Sequence, residues 1–282
     1  MAQQNGATSK GRRPRALVTN DDGIGSVGLV SLARAALSLG LDVVVAAPDK
    51  NLSGASASLT ALQADRRVVV SPHKLERLGS VPAFAVAATP AFITLLATRG
   101  AFGEPPDLVL SGINQGHNAG QAILHSGTVG AAMTAAAYGR RAMAVSLASV
   151  GPALRGEALE WATAEQVAGK ALPALVLSPP RTLVNINVPN VPPGALRGLR
   201  RATLSTFGSV QANVVETGQG YISVEMADVE AANEPGTDAA LLAEGWATFT
   251  CLSPMCEVDE PCFDGIAAPA PANSSSQGAQ AD

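Results

Sequence analysis

Between residues 16 and 188, short apolar runs alternate with longer stretches in which apolar residues recur at helical spacing. This alternation restricts the fold more than any other feature of the chain. Strands are expected at 16–19, 42–47, 83–87, 107–111, 143–147 and 183–188. Helices are expected at 27–39, 90–98, 129–138 and 157–172, the first of them stopping before Gly40. Strands linked through helices run parallel, because a helical crossover returns the chain to the same edge of the sheet. A parallel sheet is covered on both faces, so the expected class is α/β. In such sheets ligands bind beyond the carboxyl ends of the strands.

Past about residue 189 the character changes. Gly and Pro punctuate the chain, arginines gather at 197–201, and apolar and polar residues alternate at 221–226 and 247–252. Hairpins are expected there, forming an arm suited to association. From about residue 264 the chain is rich in Ala, Pro, Ser and Gln. It buries too little apolar surface to offset its ordering entropy, and disorder is expected. The expected organisation is a flexible stretch at 1–14, one domain at 15–254 including the arm, and a tail at 255–282.

A chain of 282 residues can bury a sizeable core. No run approaches the roughly 18 apolar residues that a bilayer helix needs. The basic start passes directly into the first strand without a secretory-type apolar stretch, so a soluble, cytoplasmic protein is expected. A net charge of −4 and a pI near 5.4 disfavour long nucleic acid as the main partner and leave a small anionic substrate open. Cys251, Cys256 and Cys262 are odd in number, contain no CxxC pair and have no nearby histidine, which points to ordinary thiols.

Four segments carry candidate chemistry, each next to an expected strand or helix end. In TNDDGI, Asp21 and Asp22 stand together where the first strand stops. Adjacent carboxylates repel unless a cation sits beside them, and hard divalent ions favour such oxygen donors. The same residues also suit a polar turn or a helix cap. After the second strand, APDKNLSGASASLT offers hydroxyls, a lysine and small residues for a phosphate, or simply a surface loop. After the strand at 107–111 comes GINQGHNAG, whose asparagines could ligate through neutral oxygens. Ser126-Gly127-Thr128 then opens a helix of small residues, as an anion site or an ordinary cap.

In this order, TNDDGI, APDKNLSGASASLT, PDLVLSGINQGHNAG and HSGTVGAA resemble the SurE family of metal-dependent nucleotidases. LVNINVPNVPP and EPGTDAALLAEGWATFTCLSP extend the resemblance over about residues 15–254. It implies a Rossmann-like, three-layer parallel sheet core and a C-terminal hairpin arm exchanged between subunits of a homodimer or tetramer. It also implies hydrolysis of nucleoside 5′- or 3′-monophosphates with one divalent ion per subunit, Mg²⁺ or Mn²⁺. Matched motif by motif, Asp21, Asp22, Ser53 and Asn114 are the implied metal ligands, and Asp21 and Asp22 the implied catalytic pair. Asn118, Ser126, Gly127 and Thr128 are candidates for the phosphate. Water is favoured over Asp21 as the attacking group, because a ligating carboxylate is less available. A binding module without turnover, or a phosphatase acting on another metabolite, remains the alternative.

Departures from the family pattern concern the substrate side. ATPAF stands where the family usually has GTPAD, so Phe92 replaces an acid and either shapes the pocket, stacks on a base or packs in the core. His125 replaces a tyrosine, as a phosphate donor, a general acid or a structural residue. Gln121-Ala122 stands where acidic residues usually follow. Asp238 matches the family's GTD segment and also suits a turn or an interface.

Overall fold

The computed structural model describes residues 12–61, 63–64, 67–148, 158–206, 210–218, 221–228 and 234–255. The expectations for residues 1–11, for Cys256 and Cys262, and for the tail lie outside these. Thirteen strands are described: β1 Arg15–Thr19, β2 Asp42–Pro48, β3 Gln63–Ala64, β4 Arg67–Val68, β5 Val70–His73, β6 Ala83–Val86, β7 Leu108–Gln115, β8 Arg141–Leu147, β9 Leu183–Val188, β10 Leu199–Arg201, β11 Val210–Gly218, β12 Tyr221–Asp228 and β13 Ala247–Leu252. The helices are α1 Val27–Ser38, α2 Pro90–Thr98, α3 Gly127–Ala137, α4 Trp161–Leu177 and α5 Asp238–Ala243.

Nine strands form one sheet in the order β10-β13-β9-β8-β7-β1-β2-β6-β5. Its centre, β6-β2-β1-β7-β8-β9, is parallel throughout. The chain builds outward from β1 through β2 to β6, then crosses back to β7 and builds the other way. This reversal places a crevice between the carboxyl ends of β1 and β7, where doubly wound sheets bind ligands.

Each central strand is apolar on both sides because helices cover both faces. In β1, Ala16 and Val18 join the core cluster of α1 and α4, while Leu17 joins that of α2 and α3. α1 turns Leu29, Leu32, Ala33 and Ala36 inward at helical spacing, and Ser26 caps it by accepting from the Leu29 amide.

Among the departures from the sequence expectations, three change how the chain is read. The stretch 247–252, expected in an arm hairpin, is β13 and pairs antiparallel with β9 inside the main sheet. The Asn, Thr and Ala residues of these strands bury there, Ala247 and Thr248 almost completely, so pairing within the sheet outweighs an exposed ribbon. The hairpin is β11 with β12 alone. α4 continues past residue 172 through Pro173. A proline inside a helix costs about 3 kcal/mol, and burial of Leu175 together with packing of Val176 offsets much of that. Finally, β7 extends through Asn114, so that residue lies on a strand and not in a loop.

Candidate metal centre

Asn20 builds the turn that presents the two acids. Its Oδ1 accepts from the Gly23 amide (3.2 Å), and its Nδ2 donates to the Gly23 carbonyl (3.2 Å) and to Ser26 Oγ (2.6 Å). The Ile24 amide donates to the Pro48 carbonyl (2.8 Å), tying the turn to the end of β2. The two carboxylates then diverge. Asp21 is buried and points to α3, where Thr128 Oγ1 donates to its Oδ1 (2.6 Å). Asp22 is half-buried and points to β7, accepting from the Gln115 amide (3.3 Å).

The other two implied ligands come from neighbouring strand ends. The Leu52 amide donates to the Asp21 carbonyl (2.8 Å), bringing the Ser53 loop beside the acids. Asn114 precedes Gln115, whose amide is bonded to Asp22. The structure therefore gathers the segments carrying Asp21, Asp22, Ser53 and Asn114 at the carboxyl ends of β1, β2 and β7, three adjacent parallel strands.

This donor set fits a divalent cation. Ser53 Oγ donates its proton to Asn51 Oδ1 (2.7 Å), which leaves its lone pairs to ligate. Asn114 Nδ2 donates to the Gly116 carbonyl (2.7 Å), which turns its Oδ1 the opposite way. Two neutral oxygens and two carboxylates make a hard-ion set with room for further ligands. The acids themselves lack compensation: among the described residues, no lysine or arginine forms an ion pair with either. Burial and then the neighbouring Asp21 charge push the Asp22 carboxyl from its ordinary 3.8 up to about 6. Burial also pushes Asp21 up, against hydrogen bonds from the Thr128 hydroxyl and the Thr128 and Gly127 amides.

A cation ligated by Asp22 would have to displace its proton, and Mn²⁺ affinity would then fall about tenfold per pH unit below pH 6 and level off above pH 7. Calorimetric titrations of metal-free protein between pH 5 and 8 check this.

A family model described as Survival protein SurE matches residues 16–210. The chain belongs to the SurE family. It is similar to a protein named 5′-nucleotidase SurE from Pseudomonas syringae pv. syringae, with 37% identity over 256 residues, 89% of this chain and 95% of that one. Another of that name, from Chloroflexus aggregans, is 38% identical over 245 residues, 83% of this chain and 90% of its own. A crystal structure of SurE protein from Aquifex aeolicus matches with a TM-score of 0.69 and 29% identity, covering 90% of this chain and 98% of that chain.

Within this SurE frame the phosphate candidates occupy distinct places. Ser126 caps α3, its Oγ accepting from the Val129 amide (3.1 Å). Gly127 and Thr128 face Asp21. Asn118 lies past the end of β7, where Asn187 bonds both its amide (2.8 Å) and its carbonyl (2.9 Å). Asn185 adds a second donor to that carbonyl (2.8 Å), and the Asn118 side chain donates to Ser146 Oγ (2.8 Å). Sequence reasoning misses this polar ladder at the ends of β8 and β9, although the NIN repeat places both asparagine side chains on the same face of β9. Phe92 is half-buried and packs on the core beneath α2. His125 is exposed at the turn before α3. Asp238 is fully buried and binds backbone amides, including that of Gly120 (2.9 Å). Cys251 is a free, exposed thiol.

Proposed function

We propose that the chain is a divalent-metal-dependent phosphomonoesterase that hydrolyses nucleoside 5′- or 3′-monophosphates to nucleoside and phosphate. The observation that carries this reading is the Asp21–Asp22 pair at the β1/β7 reversal, without an ion-pair partner among the described residues and beside the segments carrying Ser53, whose hydroxyl proton is engaged by Asn51, and Asn114, whose amide group donates to Gly116. The names of the curated relatives, 5′-nucleotidase SurE, agree with it. Asp21, Asp22, Ser53 and Asn114 would hold one Mg²⁺ or Mn²⁺ per subunit. Bound there, such an ion would supply Lewis acidity at the phosphoryl group and acidify water in its coordination sphere.

The protein's own groups set the rest. Asp21 is committed to Thr128 and the α3 amides, which leaves water as the attacking group and holds the Asp21 carboxyl in place. The amides of Gly127 and Thr128 serve Asp21, so α3 acts on the phosphoryl group chiefly through the field of its N-terminus. Ser126 accepts from Val129 and retains its hydroxyl proton for a phosphate oxygen. Asn118, with its main chain clamped by Asn185 and Asn187, is the remaining phosphate candidate.

The test is direct. Purified protein with Mg²⁺ or Mn²⁺ should release phosphate from AMP or GMP, and EDTA should stop it. Binding of nucleotide without release from any phosphomonoester in a panel would sink the reading.

The family resemblance also supports a cytoplasmic homodimer or tetramer joined through the β11–β12 hairpin. Among the described residues, no helix is long and apolar enough to cross a membrane. A monomer by light scattering at micromolar concentration would count against the assembly.

A further inference from the structure

We propose that α3 is a spacer between two of the segments that carry the candidate metal ligands, those of Asp21 and Ser53, and that Gly130 is a positioning residue for Ser53. This rests on the metal-centre reading above. A Cβ placed on Gly127 would lie 2.7 Å from Asp21 Oδ2. A Cβ placed on Gly130 would lie 2.6 Å from both the carbonyl carbon and oxygen of Ser56, and 2.7 Å from the Ala57 nitrogen. Both approaches are closer than real Cβ contacts allow. At Gly130 the neighbour is main chain, which cannot swing aside as the end of a side chain can.

Positions 127 and 130 lie three apart on a helix and so share a face, separated by about 4.5 Å along the axis. One side of a single helical turn thus touches Asp21 and the Ser53 loop together. The loop is fastened on either side of Ser53. Before it, the Leu52 amide bonds the Asp21 carbonyl (2.8 Å). After it, Ser56 takes a left-handed φ of 54°, donates its hydroxyl to the Leu124 carbonyl (2.7 Å) and rests on Gly130. Farther along, Thr89 Oγ1 donates to the Ser58 carbonyl. A methyl group at position 130 pushes residues 56 and 57 off the helix. With Leu52 held, that motion turns Ser53 away from the acids and spoils a ligand geometry without touching a ligand.

The test compares wild type with Gly130→Ala, Gly130→Val and Ser56→Ala, and with Gly169→Ala in α4, where a Cβ meets nothing within 4 Å. Calorimetric Mn²⁺ titration of each metal-free protein is paired with its melting temperature and with AMP hydrolysis at rising Mn²⁺. The Mn²⁺ Kd should rise about 10-fold for Gly130→Ala, further for Gly130→Val and about 3-fold for Ser56→Ala, with Gly169→Ala unchanged. Saturating Mn²⁺ should restore part of the Gly130→Ala rate. Variants that melt lower yet bind Mn²⁺ like wild type would overturn the spacer role, and Ser56→Ala decides alone if the Gly130 variants do not fold. If wild type binds no Mn²⁺, metal centre and spacer fall together. If it binds Mn²⁺ without hydrolysing nucleotide, only the nucleotidase reading falls, and the affinity series still decides the spacer.

Discussion

Replacing Asp22 with Asn should lower kcat/KM for AMP by about 10²- to 10³-fold, because the proposed metal centre would lose a charged ligand to an ion worth several kcal/mol of transition-state stabilisation. The same variant should make the metal-free protein more stable. In the folded chain, burial and the Asp21 charge raise the Asp22 carboxyl from 3.8 to about 6. A raised acid favours folding fully below the unfolded value of 3.8, and that contribution is lost as pH rises through 6. At pH 7 the ionised side chain therefore opposes folding by about 3 kcal/mol before solvent screening, and by about 1 to 2 kcal/mol after it. Asn removes this opposition. Activity and melting temperature should move in opposite directions, with the melting gain confined to metal-free protein near neutral pH. A variant that keeps wild-type turnover removes the metal centre as proposed, and one that melts lower at pH 7 removes the account of repulsion.

Asp238→Ala should cost about 3 to 5 kcal/mol of stability, among the largest effects of any single substitution here. The carboxylate is fully buried and accepts from the amides of Gly120 (2.9 Å), Ser205 (3.0 Å) and Ala239 (2.9 Å). Alanine leaves these donors without that acceptor, and the Gly120 and Ser205 positions are themselves buried. An asparagine side chain presents one acceptor and an NH₂ group to the same donors, so Asp238→Asn should recover only part of the loss. Urea denaturation measures both. Gly120 also ends the loop that holds Asn118, the proposed phosphate contact, so nucleotide KM should rise in whichever variant still folds. A shift of the urea midpoint worth less than about 1 kcal/mol would show that the network can relax around the missing carboxylate.

The sequence disclosed the acid pair and its company because local rules act there. A strand that ends on Asn-Asp-Asp-Gly must place those side chains at a carboxyl edge, and alternating strands and helices bring several such edges together. Asp238 reads equally well as a turn or interface residue, since nothing near it in the chain reveals that its partner Gly120 lies 118 positions away. The stretch 247–252 reads as arm for a similar reason. Its alternation suits a ribbon or a strand of the main sheet, and only the pairing with β9 opposite Asn185 and Asn187 selects between them.

What the sequence by itself determined was the α/β alternation, the family and the chemical types gathered at the strand ends, all set by periodicity and short-range backbone preference. Only the tertiary structure decided that Asp21 lies on the amino end of α3, 107 residues away by its bond to Thr128, while Asp22 turns to β7. It also decided that two glycines on α3 fix the space between the acids and the Ser53 loop. These are contacts between surfaces brought together by packing. Their separations depend on how helices and sheet settle against each other, a quantity that no local stretch of sequence contains.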